Sequence, residues 1–255
     1  PSRVDLPEPD APTMATASPA MTRKEISCRI VKRPSPLATS LPSDAASTMG
    51  AEVSMLKFIS VGFFLLFSFA AQAAGNILVV GDSISAGYGL GQGQSWPSLL
   101  DKRLREARLD YSVVNASISG DTTAGGRSRI GAALDQAKPV IVIIALGGND
   151  GLRGLPVGAM RDNLNAMIDA ARARKARIVL AGMKLPPNYG IDYTRAFEQS
   201  YVDLARRHKA ALVPFLLEGV AERRELFLPD NIHPVAEAQP IILENVWKVL
   251  RPLLR

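Results

Sequence analysis

The chain has 255 residues, 47% of them apolar and 21% charged, with a formal net charge of +6 at pH 7, which is enough for one or two domains with cores of their own. Its single cysteine, Cys28, excludes a disulfide framework. Its basic residues alternate with acids and lack interleaved aromatics, which speaks against nucleic-acid binding.

Residues 1–50 are crowded with Pro, Ser, Thr, Ala and Asp and hold neither a period of 2 nor one of 3.6. Met55 and Lys57 then open a short positive start, followed by 13 mostly apolar residues, Phe58 to Ala70, and by Ala71, Gln72 and Ala73. This is the pattern of a secretory signal peptide cleaved between Ala73 and Ala74. A membrane-spanning helix would need about 20 apolar residues. On this reading 1–54 are upstream sequence or a disordered tail, 55–73 the leader, and 74–255 an exported, periplasmic domain. That domain has no cysteine, so its core must hold it together.

Five apolar runs follow: Asn76–Val80, Tyr111–Ala116, Val140–Leu146, Arg177–Ala181 and Ala211–Leu216. Segments with helical spacing separate them, at Ser95–Arg108, Ala124–Lys138, Val157–Lys175 and Tyr193–Lys209, and a last helix fits Val235–Leu250. Strands alternating with helices predict a parallel sheet covered on both faces. The unbroken apolar run from Val140 to Ile144 fits a strand buried on both sides. Ligand sites in such sheets lie beyond the carboxyl ends of the strands. Ser83 follows the first strand, "ASISGDT" the second and "GGND" the third, while "PDNIHP" precedes the last helix.

Hydrolysis by a serine needs a base beside the hydroxyl and a group that orients the base. Of the two histidines, His208 ends a charged helix and reads as solvated surface. His233 lies three residues after Asp230, which can set its carboxylate against Nδ1 and leave Nε2 facing outward. Gly120 can offer a backbone N–H, and Asn149 its amide, to a developing oxyanion. Each residue also has a plainer reading: Ser83 and Gly120 as turn residues, Asn149 as a strand end, Asp230 as a helix cap with His233 a passive neighbour.

Taken together, "GDSISAGYG", "SGDT", "GGND" and "DNIHP" resemble the four blocks of the SGNH (GDSL) hydrolases, with Ser83, Gly120, Asn149 and His233 on the marker positions. "VVNASISGDT", "LGGNDGLRG", "LPPNYG" and "EAQP" resemble its bacterial thioesterase, lysophospholipase and arylesterase branch. The likeness runs from about Asn76 to Leu250. It implies a flavodoxin-like three-layer α/β/α sandwich with a five-stranded parallel sheet. It also implies Ser83 as nucleophile, His233 as base and Asp230 as its orienter, with an oxyanion hole from the Ser83 and Gly120 N–H groups and the Asn149 amide.

The expected activity is hydrolysis of acyl esters and thioesters, without cofactor or metal, by a monomer in transient contact with membrane lipid. Leu152, Leu155, Met183 and Leu185 follow strand ends on the same edge and are candidates for an acyl groove, with Gly151, Gly154 and Gly190 giving the loops freedom. The alternatives are a carbohydrate O-acetylesterase of the same fold and a non-catalytic flavodoxin-like binding domain. Against the latter, no G-x-G-x-x-G opens a helix and no Walker lysine is present. Two distant histidines and no mature cysteine leave too few ligands for a metal hydrolase.

Overall fold

The computed structural model describes residues 75–254. The upstream segment, the leader with its cleavage site, and Cys28 all lie outside the described residues.

Five strands form one parallel sheet in the order β2-β1-β3-β4-β5. They are β1 (Gly75–Gly81), β2 (Tyr111–Asn115), β3 (Pro139–Ala145), β4 (Arg177–Ala181) and β5 (Ala211–Val213). The longer helices are α2 (Trp96–Glu106), α3 (Thr123–Ala137), α5 (Val157–Ala173), α6 (Ile191–His208) and α7 (Gln239–Leu250). Two short ones, α1 (Ser83–Ala86) and α4 (Gly148–Leu152), begin directly beyond β1 and β3. The expected five-stranded α/β/α sandwich is what the chain forms.

Strand alternation sorts the core into two halves. Ile77, Val79, Ile141, Ile143 and Val179 face α2 and α7, where Trp96, Leu100 and Leu104 recur every fourth residue to make one stripe. Leu78, Val80, Val142, Ile144 and Leu180 face α3, α5 and α6, meeting Ile130, Leu164, Ile168 and Phe197. With residues buried on both faces, the strands read as continuous apolar runs. The two helices of the first layer are also tied by a bond from the Trp96 N–H to Gln239 Oε1, 3.0 Å.

The boundaries moved where proline intervened. Strand β5 stops at Val213, before Pro214, rather than running to Leu216. The last α-helix begins at Gln239 with Pro240 in its first turn, after a 3₁₀ turn over Ala236–Ala238, rather than at Val235. The strand order reverses direction between β1 and β3, and this switch point opens a crevice at the carboxyl edge. Ser83 stands on one lip of it and Asn149 on the other.

Candidate active site

Asp82 links β1 to α1. Its side chain caps the helix by accepting the Ile84 N–H, 3.1 Å, so Ser83 is the first helical residue and not part of an irregular turn. A first-turn N–H has no intrahelical acceptor, so that of Ser83 stays free for a ligand.

The Ser83 hydroxyl lies 2.8 Å from His233 Nε2, across 150 residues of sequence. On the other side of the ring, Nδ1 lies 2.7 Å from Asp230 Oδ2. The second oxygen, Asp230 Oδ1, accepts the backbone N–H groups of Ile232 and His233, at 2.9 and 3.0 Å. The bond from the His233 ring, then these two N–H groups, hold the Asp230 carboxyl down at about 2. An ionised carboxylate only accepts, so in the neutral ring Nδ1 carries the hydrogen and Nε2 accepts from Ser83. Asp230 is therefore not a helix cap, and His233 is not a passive neighbour.

Gly120 and Asn149 arrive from the ends of β2 and β3. The Gly120 N–H has no protein acceptor among the described residues, and the Gly120 carbonyl accepts from Arg153 Nη2, 3.0 Å. One hydrogen of the Asn149 amide goes to the Asp121 carbonyl, 2.9 Å, which sets the plane of the group and leaves the other for the crevice. Asp121 is in turn held by Arg129, whose Nε and Nη2 both reach Asp121 Oδ2 at 2.8 Å. Arg129 also donates to the Ala116 carbonyl at 2.5 Å and the Gly81 carbonyl at 3.3 Å, so it pins the ends of β2 and β1 together. These supports were not singled out from the sequence. Arginines on a helix carry no mark of function there.

Ser83, Gly120, Asn149 and His233 line one groove of about 800 Å³. Leu152, Met183 and Leu185 line it too, as expected, joined by Phe215, Leu217 and Phe227. Leu155 does not. It is 37% exposed outside the groove, and its carbonyl accepts the Tyr193 hydroxyl, 2.6 Å. Gly151 also corrects the reading of loop flexibility. It is buried in α4, where a Cβ would meet Leu185 Cδ2 at 2.6 Å. His208 is not solvated surface: its side chain is 8% exposed, with Nε2 2.8 Å from Asn165 Oδ1. Burial lowers its pKa, as do Arg172 and Arg207, with Asp169 opposing them. The expectation of no metal rests on the histidine and cysteine count. Among the described residues no cluster of three or more metal-ligating side chains forms.

Residues 79–239 match the GDSL-like Lipase/Acylhydrolase family. The chain belongs to that family. Its relatives include Esterase TesA of Pseudomonas aeruginosa, 53% identical over 71% of this chain and 90% of that protein. Another is Thioesterase 1/protease 1/lysophospholipase L1 of Escherichia coli K12, 40% identical over 75% of this chain and 91% of that one. The crystal structure of TesA superposes with a TM-score of 0.69, covering 70% of this chain and 99% of its own, at 53% identity. As a GDSL-like acylhydrolase, the chain is an enzyme that hydrolyses ester bonds.

Proposed function

We propose that this acylhydrolase is a serine esterase that cleaves carboxylic esters and thioesters of medium- to long-chain acids through an acyl-enzyme. The observation that carries this is the hydrogen-bonded series Ser83 Oγ, His233, Asp230, opening into an apolar groove. In the proposed first step Oγ attacks the acyl carbon as its proton passes to Nε2. The new oxyanion is received by the Ser83 and Gly120 N–H groups and the Asn149 amide. His233 then gives the proton to the departing oxygen or sulfur, and the C–O or C–S bond breaks. Water repeats the sequence on the acyl-enzyme and releases the acid. Asp230 stays ionised and keeps the imidazole turned toward Ser83.

Thioester and lysophospholipid substrates are supported by the names of the relatives, and long acyl chains by Leu152, Met183, Leu185, Phe215 and Leu217 in the groove. Each methylene buried there is worth roughly 0.8 kcal/mol, so two more carbons favour kcat/KM by about tenfold. The test is kcat/KM for p-nitrophenyl esters from acetate to palmitate, below their micelle thresholds, alongside acyl-CoA thioesters. A rise toward medium chains is expected. A steady decline from acetate upward would favour the O-acetylesterase instead. Export to the periplasm, with Ala74 as the new N-terminus, is supported by the leader-like pattern of residues 55–73. Mass spectrometry of exported material checks it. We further propose a monomer that meets membrane lipid transiently, drawn by its basic charge.

A further inference from the structure

Tyr88 covers one face of the His233 ring, with ring centroids 4.4 Å apart and planes inclined by 39°. The contacts of His233 to Ser83 and Asp230 both lie along its ring edges. They aim the two nitrogens but leave the ring able to tip about the line between them. The surrounding loop, Pro229 to Ile232, is exposed, and its hydrogen bonds hold the backbone of His233 rather than the face of its ring. A contact on the ring face is what resists tipping.

Tyr88 is itself held from both sides. Its N–H and that of Gly87 donate to the Ser83 carbonyl, each at 3.1 Å. Gly89 follows with φ +75°, and a Cβ there would meet Leu228 Cδ1 at 2.5 Å. The Leu228 N–H in turn donates to the His233 carbonyl, 2.8 Å. The turn Gly87-Tyr88-Gly89 is thus wedged between Ser83 and the loop of His233. Core burial does not account for the ring, which is 53% exposed.

We propose that Tyr88 is a positioning residue for His233. Its ring keeps the imidazole in the plane that points Nε2 at Ser83. Its π face also stabilises the imidazolium formed when the Ser83 proton moves to Nε2 and the Oγ–C bond forms. That charge sits between the Asp230 carboxylate and the Tyr88 ring until His233 passes the proton to the leaving group. The inference rests on the Ser83–His233–Asp230 reading above. The Tyr88 hydroxyl has no protein partner among the described residues, so phenylalanine can take its place.

The test is steady-state kinetics of Tyr88→Phe, Tyr88→Leu and Tyr88→Ala on p-nitrophenyl acetate and decanoate, beside Ser83→Ala and His233→Ala. Tyr88→Phe should keep kcat within about twofold. Tyr88→Leu should lose roughly two- to fivefold, the factor a cation over an exposed ring is worth. Tyr88→Ala should lose on the order of tenfold, because the ring can then leave its productive angle. Tyr88 also lines the groove, so the short acetate ester carries the test: its kcat should fall in Tyr88→Ala while its KM does not move. Normal kcat in Tyr88→Ala with a raised KM for decanoate alone would overturn the inference and leave Tyr88 a groove wall only. Equal kcat in the Phe and Leu variants would overturn the role of the π face. Should Ser83→Ala or His233→Ala retain turnover, the catalytic reading itself falls; should they be inactive while Tyr88→Ala is normal, only the role of Tyr88 falls.

Discussion

Asp82, one residue before the proposed nucleophile, illustrates what a buried carboxyl costs the fold. Burial raises its pKa to about 6, outweighing the Ile84 N–H and the nearby His233, while Asp121 adds to the rise. The folded chain holds this proton to about pH 6, whereas the free side chain releases it near 3.8. The stability Asp82 contributes is therefore complete below about 3.8 and lost as pH rises through about 6. Asp82→Asn keeps an acceptor for Ile84 without the charge, so it should gain on the order of 1–3 kcal/mol over the parent at about pH 8 and little at about pH 4. Denaturant unfolding at both pH values checks this, and a pH-independent difference would contradict it. At the proposed catalytic residues, Ser83→Ala and His233→Ala should each lower kcat by as much as about 10⁶. Asn149→Ala should lower kcat by roughly 10²–10³ and leave KM largely unchanged, because an oxyanion donor acts in the transition state. His208→Ala should keep kcat but lower the melting temperature, since the His208 ring is held by Asn165 at Nε2 and lies against Arg172 at Nδ1. Nothing in the charged run around His208 marks it as buried. That depended on α5 lying alongside α6.

The elements that matter most to the site are the short ones. Helices α1 and α4 begin where β1 and β3 end, and they set the direction of Ser83 and of Asn149. Neither is legible as a helix in the sequence, because four or five residues hold no repeat of 3.6. The long helices and all five strands were legible, since each repeats its apolar pattern over enough residues to be read. Helix α3 acts on the site at a distance through Arg129, which joins the ends of β1 and β2 to Asp121 and, through the Asp121 carbonyl, to Asn149. Arg129→Met removes the charge and leaves the mostly buried Asp121 carboxylate without its partner. A cost of about 2–3 kcal/mol in stability is expected, with a fall in kcat larger than any rise in KM as Asn149 loses its alignment. Unchanged kcat in a folded Arg129→Met protein would mean that Asn149 is held without it. Gly182 makes another such junction: a Cβ there would meet the Pro214 carbonyl oxygen at 2.5 Å, so β4 can pass the chain after β5 only at a glycine.

At the scale of the whole molecule, the groove is assembled from segments that follow all five strands, with Ser83 after β1, Gly120 after β2, Leu152 after β3, Met183 and Leu185 after β4, and Phe215 and Phe227 after β5. Leu152→Ala should lower the decanoate-to-acetate ratio of kcat/KM by roughly three- to tenfold, the loss of a partly buried leucine at about 0.8 kcal/mol per methylene. Leu155→Ala should leave the ratio unchanged. Equal effects at the two positions would place the acyl chain elsewhere. From sequence both leucines qualified alike, because each follows Asn149 on the same strand edge. The turn that ends α4 after Leu152 separates them, and its outcome depends on what packs beneath it. What the sequence alone determined is the layered architecture and the sheet edge on which the polar blocks gather. Runs buried on both faces and helices with one apolar stripe have few ways to cover one another, and the polar blocks fall at the ends of strands. The tertiary structure decided which of those polar residues meet. Ser83 and His233 are 150 residues apart, and only the strand order, with its reversal between β1 and β3, together with the packing of α7 on β5, brings the two loops within a hydrogen bond. The stacking of Tyr88 on His233 was decided at the same level, since long-range contacts of this kind leave no period in the sequence.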